Sequence, residues 1–212
     1  MIALGQPVHY GWLLHGSDAV YTWRLAAETF TMASNHEDKI ILLRGVMPTG
    51  KNKVLMAPLR AALEEAGLRN VRTYIQSGNV MASTNLNQSA IEDLVHDVIK
   101  ERFGGDIKVL ARSAPYFNEA MENNPFKGAD PAKLYFTLLA SEPEDAWLEA
   151  FHALGHAPDQ VQVVGDMAYV LCATKYSELK ANNNFIERKL KVAATTRNFN
   201  TISKLIALGA IG

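Results

Sequence analysis

Val71-Arg-Thr-Tyr-Ile75-Gln76-Ser77-Gly78-Asn79-Val80-Met-Ala-Ser83 reads as strand, turn, strand. β-Branched and aromatic residues fill Val71–Ile75, turn formers fill Gln76–Asn79, and a second short run follows over Val80–Ser83. Upstream, Lys39-Ile-Ile-Leu-Leu-Arg44 is an apolar run of strand length. Val54–Ala66 then predicts a helix, with Leu55, Leu59 and Leu63 on one stripe and Gly67 at its end. Downstream, Ser89 predicts a helix N-cap and Glu92 a capping box. Ile91, Leu94, Val95, Val98 and Ile99 keep the 3.6-residue period of that helix. Asp106–Ala111 supplies a fourth strand and Ser113–Asn123 a short extra helix. The order is β-α-β-β-α-β.

The second half repeats that order. Lys133–Leu139 is a strand and Glu144–Leu154 a helix, and Gln160–Val164 pairs with Met167–Cys172 around Gly165-Asp166. Ser177–Leu190 predicts a helix, Ala194–Thr196 a short strand and Thr201–Leu208 a closing helix. The fold class is therefore α+β: two tandem ferredoxin-like β-α-β-β-α-β subdomains plus a short C-terminal helix. The subdomains span 39–123 and 132–212, joined by a linker over 124–131. The repeat is one of pattern, with no residue-level identity between the halves.

Composition bounds the function classes. With 21 Lys+Arg against 22 Asp+Glu and 48% apolar residues, the 212-residue chain reads as soluble and globular. The charge balance excludes a globally basic nucleic-acid binder but not a local basic patch. One cysteine, Cys172, can form neither an internal disulfide nor a thiolate zinc cluster. No apolar run reaches the roughly 18 residues of a membrane helix. The first cation is Arg24, so the charged start of a secretory signal is missing and cytoplasmic localisation is expected. Residues 1–31 hold three charges, Asp18, Arg24 and Glu28, and two of the three tryptophans. Residues 1–38 are read as an extension outside the fold, disordered or untranslated, with Met32 as an alternative start.

Gly45-Val-Met-Pro-Thr-Gly50-Lys51-Asn52 fits G-x-x-x-x-G-K between a strand and a helix. Asn52 stands where a Mg²⁺-holding hydroxyl belongs, however, and Pro48 removes a backbone N–H, so a true P-loop is disfavoured. A looser anion site survives, because Arg44, Lys51 and Lys53 crowd one loop with no acid from 39 to 53. A second basic region holds Arg188, Lys189, Lys191, Arg197 and Lys204 against Glu187 alone. There, Asn200 or Thr201 can cap the last helix and leave Arg197 beside its positive end. Asn198 and Asn200 equally suit a tight turn. His152 and His156 have the i, i+4 spacing of zinc ligands, but Gly155 and Pro158 end the helix, so no metal is expected. Tyr135, Phe136 and Tyr169 lie on strands where RNA-recognition folds stack bases, without the basic-Gly-aromatic signature, which favours internal packing. Cys172 in Tyr169-Val-Leu-Cys172 reads as core filler.

Leu42-Leu-Arg-Gly-Val-Met-Pro-Thr-Gly-Lys-Asn-Lys53, Met56-Ala-Pro-Leu-Arg60, Tyr74-Ile-Gln-Ser-Gly-Asn-Val80, Asn124-Pro-Phe126, Asn183-Asn-Phe-Ile-Glu-Arg-Lys-Leu190 and Ala194-Thr-Thr-Arg-Asn-Phe-Asn-Thr201 together resemble the bacterial family called domain of unknown function 1697. The resemblance spans about 39–208. It implies a two-subdomain, ferredoxin-related α+β fold and no established reaction. The chain departs from the family pattern at Val46-Met-Pro-Thr-Gly50, usually Asn-Val-Gly-Gly, and at Phe199, usually Trp.

The leading functional expectation is a small anionic, phosphorylated ligand held between the Arg44–Lys53 loop, the Gln76–Asn79 turn and the Arg197–Asn200 segment. Arg44, Lys51, Lys53, Lys180 and Arg197 would neutralise it, and Asn79, Asn198 and Asn200 would orient it. Gly50, Asn52, Gln76, Ser77, Gly78, Asn183, Thr201 and Lys204 complete the candidate lining. No nucleophile–base pair is evident, so no catalytic residue, reaction or cofactor is assigned. An RNA-binding module and a ligand-free interaction scaffold are the alternatives.

Overall fold

A computed structural model describes residues 36–46, 49–50 and 52–209 of the chain. The expectations for residues 1–35, for a start at Met32 and for a contact from Lys51 lie outside the described residues, whereas Glu37 and Asp38, read above as part of the extension, begin the first strand. Two antiparallel four-stranded sheets form. The first contains β1 (Glu37–Leu43), β2 (Arg69–Tyr74), β3 (Asn79–Thr84) and β4 (Val109–Ser113), in the order β2-β3-β1-β4. The second contains β5 (Leu134–Leu139), β6 (Gln160–Val164), β7 (Met167–Leu171) and β8 (Ala194–Asn198), in the order β6-β7-β5-β8. Six helices connect or follow them: α1 (Met56–Glu65), α2 (Gln88–Phe103), α3 (Ala114–Glu122), α4 (Asp145–Ala153), α5 (Asn183–Leu190) and α6 (Phe199–Gly209). Each half is a β-α-β-β-α-β unit followed by one extra helix.

Apolar runs in the central strands β1 and β5 reflect burial on both faces. Ile41, Leu43, Val80, Val109 and Ala111 face α1 and α2, whose Leu59, Leu63, Ile91, Val95 and Ile99 complete one core. Leu139, Ala168 and Val170 face α4 and α5, with Phe151, Ile186 and Leu190, in a second core. The alternate residues of both sheets meet in a third: Ile40, Leu42, Met81 and Leu110 from one, Phe136, Leu138, Met167 and Tyr169 from the other. Helices α3 and α6 add Phe117, Ala120, Ile202 and Leu205 to this middle layer. The order of layers is helices, sheet, sheet, helices. Phe136 and Tyr169 lie inside it, 5.5 Å apart between ring centres, while Tyr135 stacks on Tyr176 at 4.4 Å.

Several element ends differ from the sequence reading. Asn87, not Ser89, caps α2, accepting from Ala90 N at 2.9 Å. The Glu92 carboxylate reaches forward to Ala111 N at 2.8 Å, so no capping box forms. Leu55 is 44% exposed at the start of α1 rather than on its core stripe, which consists of Met56, Leu59, Ala62 and Leu63. The predicted helix over 177–190 divides into a 3₁₀ turn at Tyr176–Glu178 and α5, capped by the Asn182 side chain. Neither Asn200 nor Thr201 caps the last helix. Asn198 Oδ1 accepts from Thr201 N at 2.8 Å, and the helix begins at Phe199. Strands β4 and β8 each run two residues past the expected ends, to Ser113 and Asn198.

Candidate functional site

Those two extra residues carry one arginine into each sheet at the same place. Arg112 on β4 stands opposite Ile40 of β1, and Arg197 on β8 opposite Phe136 of β5. Leu43–Val109 and Leu139–Ala194 are the pairs three residues further along, so the positions are equivalent. Period-2 alternation turns both guanidinium groups to the inner faces, where each crosses to the other half. Arg112 Nη2 donates to Leu139 O at the end of β5 (2.9 Å), and Arg197 Nη2 to Leu43 O at the end of β1 (3.0 Å). Each arginine also donates through Nη1 to the carbonyl of its preceding residue, Ala111 or Thr196. The halves therefore hold each other through reciprocal clamps.

The partners beyond those carbonyls differ. Arg112 donates to Asp166 Oδ2 through Nε and Nη2 at 2.9 and 2.7 Å, and Glu92 stands at 3.4 Å. Tyr116 donates its hydroxyl to the other oxygen of Asp166; burial and that carboxylate raise the phenol pKa far above its ordinary value. The residue of the first half that corresponds to Asp166 is Gly78, because Leu43 N bonds Gly78 O as Leu139 N bonds Asp166 O. Arg197 thus meets carbonyls instead of a carboxylate: Ser77 O and Gly78 O at 3.1 Å, with Asn79 Oδ1 on Nε at 2.5 Å and Thr195 Oγ1 on Nη1 at 2.8 Å. Among the described residues no acid comes within ion-pair distance of Arg197. Burial pushes its pKa down to about 10, which still leaves it cationic at neutral pH.

This geometry changes the role expected of several residues. All five N–H groups of Arg197 are engaged by protein acceptors, so it is a clamp rather than a direct ligand donor. Asn79 is fully buried, donating to Tyr74 O and Ser77 Oγ while accepting from Arg197. Gly78 has φ +76°, and a Cβ there would stand 2.8 Å from Leu43 Cβ. Gln76 donates to Val54 O and accepts from Met56 N, fastening the start of α1 to the turn. Arg44 is neutralised: it donates to Glu187 through Nε at 2.7 Å and to Asn184 at 2.6 Å, which raises its pKa further. Asn183 ties α5 to β8 through Ala194 O and the Thr196 hydroxyl. Thr201 is buried at the start of α6.

Solvent reaches a lip formed by the loop after β1 and the β2–β3 turn, which Gln76 fastens together. Gly50 and Lys53 are exposed, Lys53 N bonds Gly50 O at 3.2 Å, and Asn52 reaches back to Gly45 O at 3.4 Å. Ser77 is half-buried, and its Oγ accepts from Asn79, which leaves its own proton to donate. Ile75 is 54% exposed with φ +48°, a strained conformation for a β-branched residue. Lys180, Asn200 and Lys204 are exposed, and no contact joins them to the Arg197 cluster. The helix that follows this loop, α1, starts four residues after Asn52, with Gln76 accepting from its first N–H.

Sequence reasoning missed Arg112 and Asp166. Their signal was the matched spacing Val109-Leu-Ala-Arg112 and Ala194-Thr-Thr-Arg197, hidden because both strands were ended one residue before the arginine. No cluster of three metal-ligating side chains occurs among the described residues, His152 and His156 included. Cys172 is 1% exposed and its thiol is pushed up to about 11 by burial, as core filler requires. No helix among the described residues is long and apolar enough to cross a membrane.

The sequence profile of a protein family of unknown function, DUF1697, matches residues 37–169. The fold is similar to the solved structure of a conserved bacterial protein from Streptococcus pneumoniae, with a TM-score of 0.65 and 22% identity, covering 82% of this chain and 99% of that one. No curated protein matches the chain.

Proposed function

The chain belongs to the DUF1697 family of proteins of unknown function, and from that premise we propose that it binds a small phosphorylated ligand at the lip over Arg197. The single observation behind this reading is the asymmetry of the two clamps. Arg112 has Asp166 and Glu92 to balance its charge, whereas the equivalent Arg197 has only backbone, amide and hydroxyl oxygens. A half-buried cation with no carboxylate beside it projects a positive potential that an anion outside the clamp can answer. Lys53, the Ser77 hydroxyl and the exposed backbone at Gly50 are the groups free to touch it, with Lys51 beside them in sequence. Arg44 and Arg197 frame the site without contacting the ligand. The reading assigns binding, not turnover.

The test is thermal shift against pyrophosphate, nucleoside phosphates, sugar phosphates and short RNA at low and moderate salt. A ligand at about 100 times its dissociation constant adds roughly 2.7 kcal/mol, a rise of several degrees. A rise with one small phosphate compound, lost in Lys53→Ala and Asn79→Asp, supports the proposal. A rise with RNA alone, falling steeply with salt, supports the nucleic-acid alternative instead. No rise with any compound contradicts both.

A further inference from the structure

Cations of the second basic region divide between two places. Arg197 turns inward, while Arg188, Lys189 and Lys191 at the end of α5 line a cavity of about 380 Å³ between α4 and α5. Trp147, Ala150 and Phe151 of α4 and its C-cap Leu154 form the other wall, at the i, i+3, i+4, i+7 spacing of one helix face. Phe151 points into the core, but Trp147 is 40% and Leu154 48% exposed. No acidic residue lines the cavity. Basic residues at a helix C-terminus answer the helix dipole on their own. That effect leaves the exposed Trp147 and Leu154 beside them unexplained.

We propose that this α4–α5 groove is the docking surface for an acidic amphipathic helix of a partner protein. An incoming helix would lay its apolar face on Trp147, Ala150 and Leu154 and its carboxylates against Arg188, Lys189 and Lys191. Charge complementarity selects the acidic partner, since among the described residues three cations and no acid line the groove. Nucleic acid fits less well, because the Trp147 face on which a base would stack already carries a cation, whereas a helix side chain needs only exposed apolar area. Lys191 Nζ lies 5.4 Å from the Trp147 ring centre, and Arg188 and Lys189 lie 5.6 and 5.8 Å from that of Phe185. The surface is separate from the lip over Arg197. Asn184 and Glu187 of α5 bond Arg44, whereas the residues facing α4 are Arg188 and Lys189.

The experiment uses the full chain and a fluorescein-labelled synthetic helix of about fifteen residues, Leu at i, i+3, i+4, i+7 and Glu elsewhere. The same peptide with Lys for Glu and a labelled single-stranded RNA serve as comparisons, read by fluorescence polarisation. The Glu peptide is expected to bind, to weaken with added salt, and to lose at least tenfold in affinity in Leu154→Glu and in Lys191→Glu. Both substituted residues are exposed, so circular dichroism melts of the variants should match the parent closely. Lys53→Ala should leave peptide binding unchanged, which separates failure here from failure of the phosphate site. Absence of Glu-peptide binding, equal binding of the Lys peptide, preference for RNA, or indifference to both substitutions would overturn the proposal.

Discussion

At Arg197 a single side chain carries much of the junction between the halves. Its fork satisfies Leu43, Ser77 and Gly78 carbonyls that have β1 and the β2–β3 turn on the far side. Arg197→Met would leave those groups short of donors and is predicted to cost about 3 kcal/mol, or about 10 °C in melting temperature. Lysine should recover little, because a point charge cannot span the same acceptors; full rescue by Arg197→Lys would contradict the clamp. Two histidines should act in opposite directions with pH. Burial lowers His156, so the unfolded chain binds that proton first and stability falls as pH drops below about 6.5. Hydrogen bonds donated to Asp106 and Asp97 raise His96, so its contribution is present below about 6.5 and is lost as pH rises through the raised value. Melting between about pH 5 and 8 checks both: His156→Gln should lessen the loss of stability in acid and His96→Gln should deepen it. Cys172, raised to about 11, should resist alkylation at pH 8 in the native protein and react once unfolded.

Among the elements, the β2–β3 turn explains why its sequence was legible as structure and illegible as a site. Gln76-Ser-Gly-Asn79 announced a turn through residue type alone, and a turn forms. What residue type could not announce is that Gly78 must pass within contact of Leu43, or that Asn79 is sealed beneath Arg197 from the other half. The first depends on strand pairing within one sheet and the second on packing between the sheets, and neither has a local signal. Gly78→Ala is predicted to destabilise by about 3 kcal/mol, combining a positive φ with a Cβ contact against strand backbone; urea unfolding measures it, and a change under about 1 kcal/mol would place the constraint elsewhere. Strand order and helix faces were readable because apolar period reports burial directly, as Ile91, Val95 and Ile99 do in α2. Strand ends were not. Arg112 and Arg197 looked too polar to continue an inward face, and only the partner half makes that burial tolerable.

For the molecule as a whole, the two halves are not independent beads on a linker. Ile40, Leu42, Met81 and Leu110 meet Phe136, Leu138 and Tyr169 in one apolar layer, closed by helices from both halves. Separating the halves would expose those faces to water together. Unfolding is therefore predicted to occur in one cooperative transition by calorimetry, and two resolved transitions would contradict the shared layer. The same duplication sets up the functional claim, since two equivalent arginines with unequal partners leave one charge unanswered. Asn79→Asp puts a carboxylate where Arg197 Nε already finds an amide oxygen at 2.5 Å. The most direct measurement is calorimetric titration of the wild-type chain and Asn79→Asp with the phosphate compound that raises the melting temperature most. The account predicts affinity about tenfold or more lower in the variant, because the ligand's charge is no longer required there. Equal affinity in the two proteins would contradict it.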